Sequence, residues 1–209
     1  MCQKEQPSIL LDITDADTAL AQFKHTALAE LAKLSEKLTP DYFQPAVALI
    51  RKAWSEQKRI HVTGIGKPQH IAAYYASLLS SLEIPCYLLD GCEATHGSSG
   101  QVAPGDVVIC ISYYGNVPEL MHTMKTLQNN GARIISVTGF NDSWIAAHAD
   151  VHLNCYVAEE GDYLNKPPRT SMLSALFVLM SLSVMLQSIK MLTPERYVRY
   201  HPSGQLGQL

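Results

Sequence analysis

"VVICISYYGNVPEL", residues Val107–Leu120, sets an unbroken apolar run against a turn and the start of a helix. Apolar residues without polar alternation mark a strand covered on both faces. Ser112–Val117 then turns the chain, and Pro118 suits the first turn of a helix. Such strand–turn–helix loops hold anions when small residues let backbone amides approach. Here Tyr113 and Tyr114 stand just before Gly115, and their bulk works against that approach, so the loop reads as a modified cradle.

The same unit recurs on both sides. "RIHVTGIG" and "KPQHIAAYYASLLSSLE" read as strand and helix, and "IPCYLLD" as the next strand. After "VPELMHTMKTLQNNG", a helix ended by Gly131, come the strand "ARIISVTG", a short helix "DSWIAAHA" with its N-cap at Asp142 or Ser143, and the strand "VHLNCY". Alternating strands and helices with right-handed crossovers predict an α/β fold with a five-stranded parallel sheet flanked by helices. Two helices precede it. Leu20, Phe23, Ala27, Leu28, Leu31 and Leu34 recur at helical spacing, and Thr39-Pro40 opens a second helix to about Gln57. The expected division is a helical segment over 1–58 packed on an α/β unit over 59–209.

Composition narrows the partners. The 209 residues carry a net charge of -3 with 17% charged residues, which gives no basic surface for nucleic acid. Five scattered cysteines without a C-x-x-C pair read as free thiols in a reducing cytoplasm, not as a metal site. The N-terminus has no basic region followed by an apolar stretch, so no signal peptide is expected. "MLSALFVLMSLSVMLQ", Met172–Gln187, falls short of the roughly 20 residues that cross a bilayer and is expected in the core or at a subunit interface.

Ligands of open parallel sheets sit beyond the strands' carboxyl ends, where the strand order reverses. In "TGIGKPQHIA", Thr63–Ala72, Gly64 and Gly66 admit backbone amides to an anion, and Lys67 adds a cation at the helix mouth. The third glycine of a dinucleotide fingerprint is replaced by Gln69, although Asp90 after the second strand imitates that motif's ribose-binding acid. "DGCEATHGSSG", Asp90–Gly100, puts Glu93 and His96 among small residues, a setting for proton transfer. "AEEGDYLNKPPRTS", Ala158–Ser171, offers Glu159 or Glu160 as a base, with Thr170 and Ser171 as N-caps or anion ligands. His201 lies in a glycine-flanked tail. His61, His122, His148 and His152 read as structural.

Taken in order, these stretches resemble the sugar isomerase (SIS) domain family, in its D-arabinose 5-phosphate isomerase branch. The matching residues are G-I-G-K at Gly64–Lys67, E-A-T-H-G at Glu93–Gly97, I-S-x-x-G at Ile111–Gly115, V-T-G at Val137–Gly139, A-D-V-H-L at Ala149–Leu153, A-x-E at Ala158–Glu160, P-x-T-S at Pro168–Ser171 and H-P-x-G-x-L-G at His201–Gly207. The resemblance implies a flavodoxin-like sheet in a homodimer or homotetramer. It also implies interconversion of an aldose and a ketose phosphate through an enediol, without a redox cofactor or metal. Lys67, His96, Glu160 and His201 would surround the sugar, with His201 reaching a neighbouring subunit's site. Gly64, Gly66, Ser112, Gly115, Thr170 and Ser171 would hold the phosphate. Branch members often add a paired CBS module after the tail, and this sequence reads as the SIS unit without it.

The quoted loop departs from the branch, which usually reads I-S-N-S-G-E-S. Tyr114, Asn116 and Val117 stand where it has serine, glutamate and serine. Each lost hydrogen bond to a charged group costs about 1.5–3 kcal/mol, so two lost hydroxyls weaken phosphate binding on the order of a hundredfold or more. Arg169, replacing a small hydroxylic residue, offers a bidentate repair. The alternative is a SIS protein that binds or senses a sugar phosphate without turning it over.

Overall fold

A computed structural model describes residues 13–203 and 205. The N-terminal leader reading and the Gly204, Leu206 and Gly207 positions of the tail motif lie outside the described residues. The elements run α1 (Ile13–Ser35), α2 (Pro40–Ser55), β1 (Ile60–Gly64), α3 (Lys67–Ser81), β2 (Cys86–Leu88), β3 (Val107–Ile111), α4 (Pro118–Asn129), β4 (Arg133–Thr138), α5 (Trp144–Ala147), β5 (Val151–Asn154), α6 (Thr170–Lys190) and α7 (Pro194–Arg199). Two short 3₁₀ turns, Glu93–His96 and Ser98–Gln101, lie between β2 and β3.

All five strands pair in parallel, in the order β2-β1-β3-β4-β5. This is the flavodoxin-like order, and its reversal falls between β1 and β3. The register pairs Ile60 with Val107 and Gly64 with Ile111, so β1 and β3 end side by side. Their following loops therefore open onto one crevice.

The apolar run of β3 feeds two cores. Val107, Ile109 and Ile111 join Phe43 and Ile50 of α2, Tyr75 and Leu79 of α3, and Val178 and Leu182 of α6. Val108 and Cys110 point the other way, against Leu120, Met124 and Leu127 of α4. Every residue of β1 and β3 is buried, which is why neither strand alternates in sequence. The N-terminal helices brace the sheet: Thr39 caps α2 by accepting from the Tyr42 amide at 3.3 Å. The Tyr42 hydroxyl donates to the Asn154 carbonyl of β5 at 2.7 Å.

Three elements differ from expectation. β2 keeps only Cys86–Leu88, because it is an edge strand that pairs with β1 alone. The stripe on α1 is only half covered: Ala27 and Leu34 are buried, whereas Leu20 and Leu28 are 58% and 69% exposed. α6 is longer than its apolar centre, and its 21 residues are long and apolar enough to cross a membrane by length and composition. One face of α6, including Ala175, Leu179 and Leu186, is core, while Met180 and Val184 lie exposed.

Candidate active site

The β1–α3 and β3–α4 loops and the start of α6 enclose a cavity of about 170 Å³, lined by Lys67, Ser112, Tyr113, Tyr114 and Ser171 among others. Gly64 packs so tightly on α3 that a Cβ there would meet the Pro68 backbone at 2.8 Å. Gly66 ends the turn, and Lys67 begins α3 with no side-chain cap on its amides. The Ser112 hydroxyl accepts from the Gly115 amide at 3.3 Å and closes the second loop. Gly115 has φ +66, and a Cβ there would lie 2.2 Å from the Ser143 hydroxyl, so only glycine fits.

At the third corner, Ser171 is fully buried and its hydroxyl has no hydrogen-bond partner among the described residues. An unpaired buried hydroxyl costs free energy until something bonds it, and this one borders the cavity. Thr170 differs, because its hydroxyl donates to the Glu160 carbonyl at 3.1 Å. Neither hydroxyl caps α6, contrary to expectation. The Glu160 carboxylate does so instead: its Oε2 accepts from the amides of Arg169 at 2.7 Å and Ser171 at 3.1 Å. A carboxylate suits the positive end of the helix dipole. Glu160 is 6% exposed, and its own amide donates to Asn165 Oδ1 at 2.6 Å. No described residue bonds its Oε1, so one carboxylate oxygen remains for a ligand. Glu160 lines a neighbouring cavity of about 120 Å³, and Tyr113 and Tyr114 border both cavities.

The two tyrosines are held differently. The Tyr113 hydroxyl donates to the Val157 carbonyl at 2.7 Å and accepts from the Val157 amide at 3.2 Å. Burial pushes this phenol's pKa up. Tyr113 is thus a strut tying the β3–α4 loop to the segment that carries Glu160. Tyr114 is 61% exposed and stacks on Phe140 at 5.8 Å between ring centroids.

Other expected residues sit elsewhere. Arg169 forms an ion pair with Asp162 and does not line the cavity, so the proposed phosphate repair is engaged by a carboxylate. His96 ends an exposed 3₁₀ turn and borders neither cavity. His201 stacks on Tyr197, with Nδ1 2.9 Å from that residue's carbonyl oxygen, again away from both. Asp90 accepts from the amides of Cys92 and Glu93 and from Gln69 Nε2, at 2.9, 3.0 and 2.9 Å. The Glu93 amide leads in holding its carboxyl below the usual range, and these bonds use up the would-be ribose acceptor. Burial pushes the thiols of Cys86, Cys110 and Cys155 up to about 12, so none supplies a thiolate near neutral pH. Among the described residues, no three His, Cys, Asp or Glu side chains converge as metal ligands.

Asn116, which stands where the branch has a glutamate, caps α5: its Oδ1 accepts from the Trp144 amide at 2.9 Å. That role and the Tyr113 strut were not foreseen from sequence, since each joins residues that no local spacing relates.

The SIS domain family pattern matches residues 54–185. The chain is 30% identical to the arabinose 5-phosphate isomerase KpsF of Escherichia coli over 180 residues, covering 86% of this chain and 56% of the relative. It is 33% identical to arabinose 5-phosphate isomerase KdsD of Escherichia coli K12 over 178 residues, covering 85% of this chain and 53% of that protein. It thus spans a little over half the length of these curated relatives. An Escherichia coli CFT073 protein solved in complex with arabinose 5-phosphate superposes with a TM-score of 0.81 at 30% identity, covering 92% of this chain and all of the other.

Proposed function

This chain belongs to the SIS domain family, and we propose that it is an aldose–ketose isomerase of phosphorylated sugars, acting on an arabinose 5-phosphate/ribulose 5-phosphate pair or a similar one. The observation that carries this reading is the corner at Glu160 and Ser171. A buried carboxylate with one unbonded oxygen sits behind a buried, unpartnered hydroxyl, and Lys67 shares the hydroxyl's cavity.

In this reading Ser112, Ser171 and the uncapped start of α3 hold the anionic end of the sugar. The carbon chain then runs past the tyrosines toward Glu160. Glu160 Oε1 removes the proton from C2 of the open-chain aldose and returns it to C1, while the C2 hydroxyl proton passes to O1. The electron pair moves through an enediolate, while Lys67, in the cavity of Ser112 and Ser171, adds its charge to the grip on the anionic end. No electron leaves the substrate, so the step needs no redox cofactor.

His96 and His201 lie away from the cavity of their own chain, and a second copy would have to bring one in. The exposed Leu20, Leu28, Met180 and Val184 of α1 and α6 support a homodimer or homotetramer that buries them. The same faces favour subunits over a membrane as their cover, given the core face of α6. Residues 59–209 carry the chemistry in this scheme, and 1–58 brace it. Free thiols at Cys86, Cys92, Cys110 and Cys155 support a cytoplasmic setting. The net charge of -3 argues against nucleic acid as a partner.

One observation favours a second reading, a sugar-phosphate binder without turnover: the carboxylate of the branch is replaced by Asn116, whose oxygen is spent on α5. A deuterium-exchange assay separates the two. The protein is incubated with arabinose 5-phosphate or ribulose 5-phosphate in deuterated water, and exchange alpha to the carbonyl is followed by NMR. Exchange that is lost in Glu160→Gln but kept in His152→Ala supports the enzyme. A raised melting temperature without exchange for any phosphosugar supports the binder and ends the isomerase reading.

A further inference from the structure

We propose that Tyr114 is the specificity-determining wall of this site, narrowing the passage between the two cavities so that only slim, unbranched sugar phosphates cross it. The proposal rests on the phosphosugar reading above and adds the class of ligand that the site rejects.

The polar groups are divided between two compartments. Lys67, Ser112 and Ser171 border the cavity of about 170 Å³, and Glu160 and Asn165 border the one of about 120 Å³. Small-molecule clefts usually measure about 300–1,000 Å³, so neither compartment alone is large enough, and together they come close to the lower end. A ligand that reaches both sets of polar groups must lie across the boundary, and that boundary is Tyr113 and Tyr114.

Only one of these rings can yield. Tyr113 is locked by the two hydrogen bonds of its hydroxyl to Val157, and its carbonyl accepts from the Gly139 amide at 2.8 Å. Its ring also lies where a Cβ on Gly139 would come within 2.7 Å. Tyr114 makes ring contacts with Tyr113 and Phe140, and no described residue hydrogen-bonds its hydroxyl. Being 61% exposed, it can be truncated with little effect on the core. An extended sugar phosphate passes beside its ring. A ligand with a bulky group on C2, such as an acetamido sugar phosphate, meets the ring edge, and the locked Tyr113 offers no room on the other side.

The test is isothermal titration of the full chain with arabinose 5-phosphate as the slim probe and N-acetylglucosamine 6-phosphate as the bulky one. The wild type should prefer the slim probe by about tenfold or more, the scale on which pocket shape discriminates. Tyr114→Ala and Tyr114→Ser should close that gap to within about threefold by gaining affinity for the bulky probe. Tyr114→Phe, which keeps the ring, should bind as the wild type does. A preference that survives in both Ala and Ser variants overturns the proposal and leaves the sugar-phosphate reading standing. A preference lost equally in Tyr114→Phe overturns it too, since the hydroxyl and not the ring would then be selecting. If neither probe binds any form, the sugar-phosphate reading itself falls, and the wall falls with it.

Discussion

Glu160 and Ser171 are joined by a single hydrogen bond, 3.1 Å from the Ser171 amide to the Glu160 carboxylate, that ties the candidate base to the first turn of α6. The same carboxylate oxygen takes the Arg169 amide at 2.7 Å. One side chain therefore caps α6 through Oε2 and, in the proposed function, would move a proton through Oε1.

Glu160→Gln and Glu160→Ala should split these duties. Glutamine keeps a carbonyl oxygen for the two amides, so its melting temperature should fall little. Alanine removes the cap at a cost of about 1 kcal/mol, a drop of about 2–4 °C for a chain of this size. Both should lose deuterium exchange by about 10²–10⁴-fold if the carboxylate is the base. Exchange that persists in Glu160→Gln would leave Glu160 with the capping duty alone. Calorimetry and the exchange assay on the same preparations decide it.

Asn116 should behave as a cap and nothing more. Asn116→Ala strips the acceptor from the Trp144 amide and should cost about 1 kcal/mol, whereas Asn116→Asp, which keeps an acceptor, should stay near wild type. Exchange should be unchanged in both. A large loss of exchange with an intact melting temperature would instead put Asn116 at the substrate.

Arg169 is bound to Asp162, and that pairing decides whether it helps a phosphate. Asp162→Asn should release the guanidinium and tighten binding of a sugar phosphate several-fold at low salt, with the gain fading as salt rises. Arg169→Gln should barely alter the affinity of the wild-type protein, because its charge is already neutralised. A strong loss in Arg169→Gln would mean that the ion pair opens when ligand arrives. Titration at two salt concentrations distinguishes the cases.

What was legible in the sequence was what is local. β1 and β3 were plain because both faces of each are buried, and an apolar run has no other use at that length. Ser143, one of two offered N-caps, does cap α5, accepting from the Ala146 amide at 3.4 Å. The cavity residues Lys67 and Ser112 lay in view because a parallel sheet confines its ligands to the strands' carboxyl ends, whereas Ser171 was read as an N-cap or anion ligand and through the family resemblance. What stayed hidden was long-range. The Glu160 carboxylate caps α6, which starts at Thr170 beyond an irregular segment, and Asn116 caps a helix 28 residues away. Neither spacing is a motif. The exposure of Leu20 and Leu28 was hidden for a related reason, since periodicity shows that a helix has an apolar face and not which molecule covers it.

The buried pair of His61 and Asp106 should give stability a defined acid limb. His61 Nε2 lies 3.3 Å from Asp106 Oδ2, and both side chains are almost wholly buried. Arg59 and the ring of Tyr87 flank the pair. Burial outweighs the Asp106 charge and holds the His61 pKa below its ordinary value. The folded state then binds fewer protons than the unfolded chain, so stability is full above about pH 6.5 and is lost as pH falls through the lowered value. For Asp106, burial pushes the carboxyl up, but the amides of Arg59 and Ala103, together with His61 and Arg59, bring it below the usual range. Its contribution is full above about pH 3.9 and is lost at more acid pH. The melting temperature should therefore be flat from about pH 7 to 8, decline from about pH 6.5 downward, and decline again below about pH 4. Burial also lowers the pKa of His152, which adds to the first decline. His61→Gln should shrink that decline, His61→Gln with His152→Gln should nearly abolish it, and the decline below about pH 4 should remain in both. A melting temperature that rises between pH 7 and 6 would show that His61 gains its proton on folding, against the geometry of this pair.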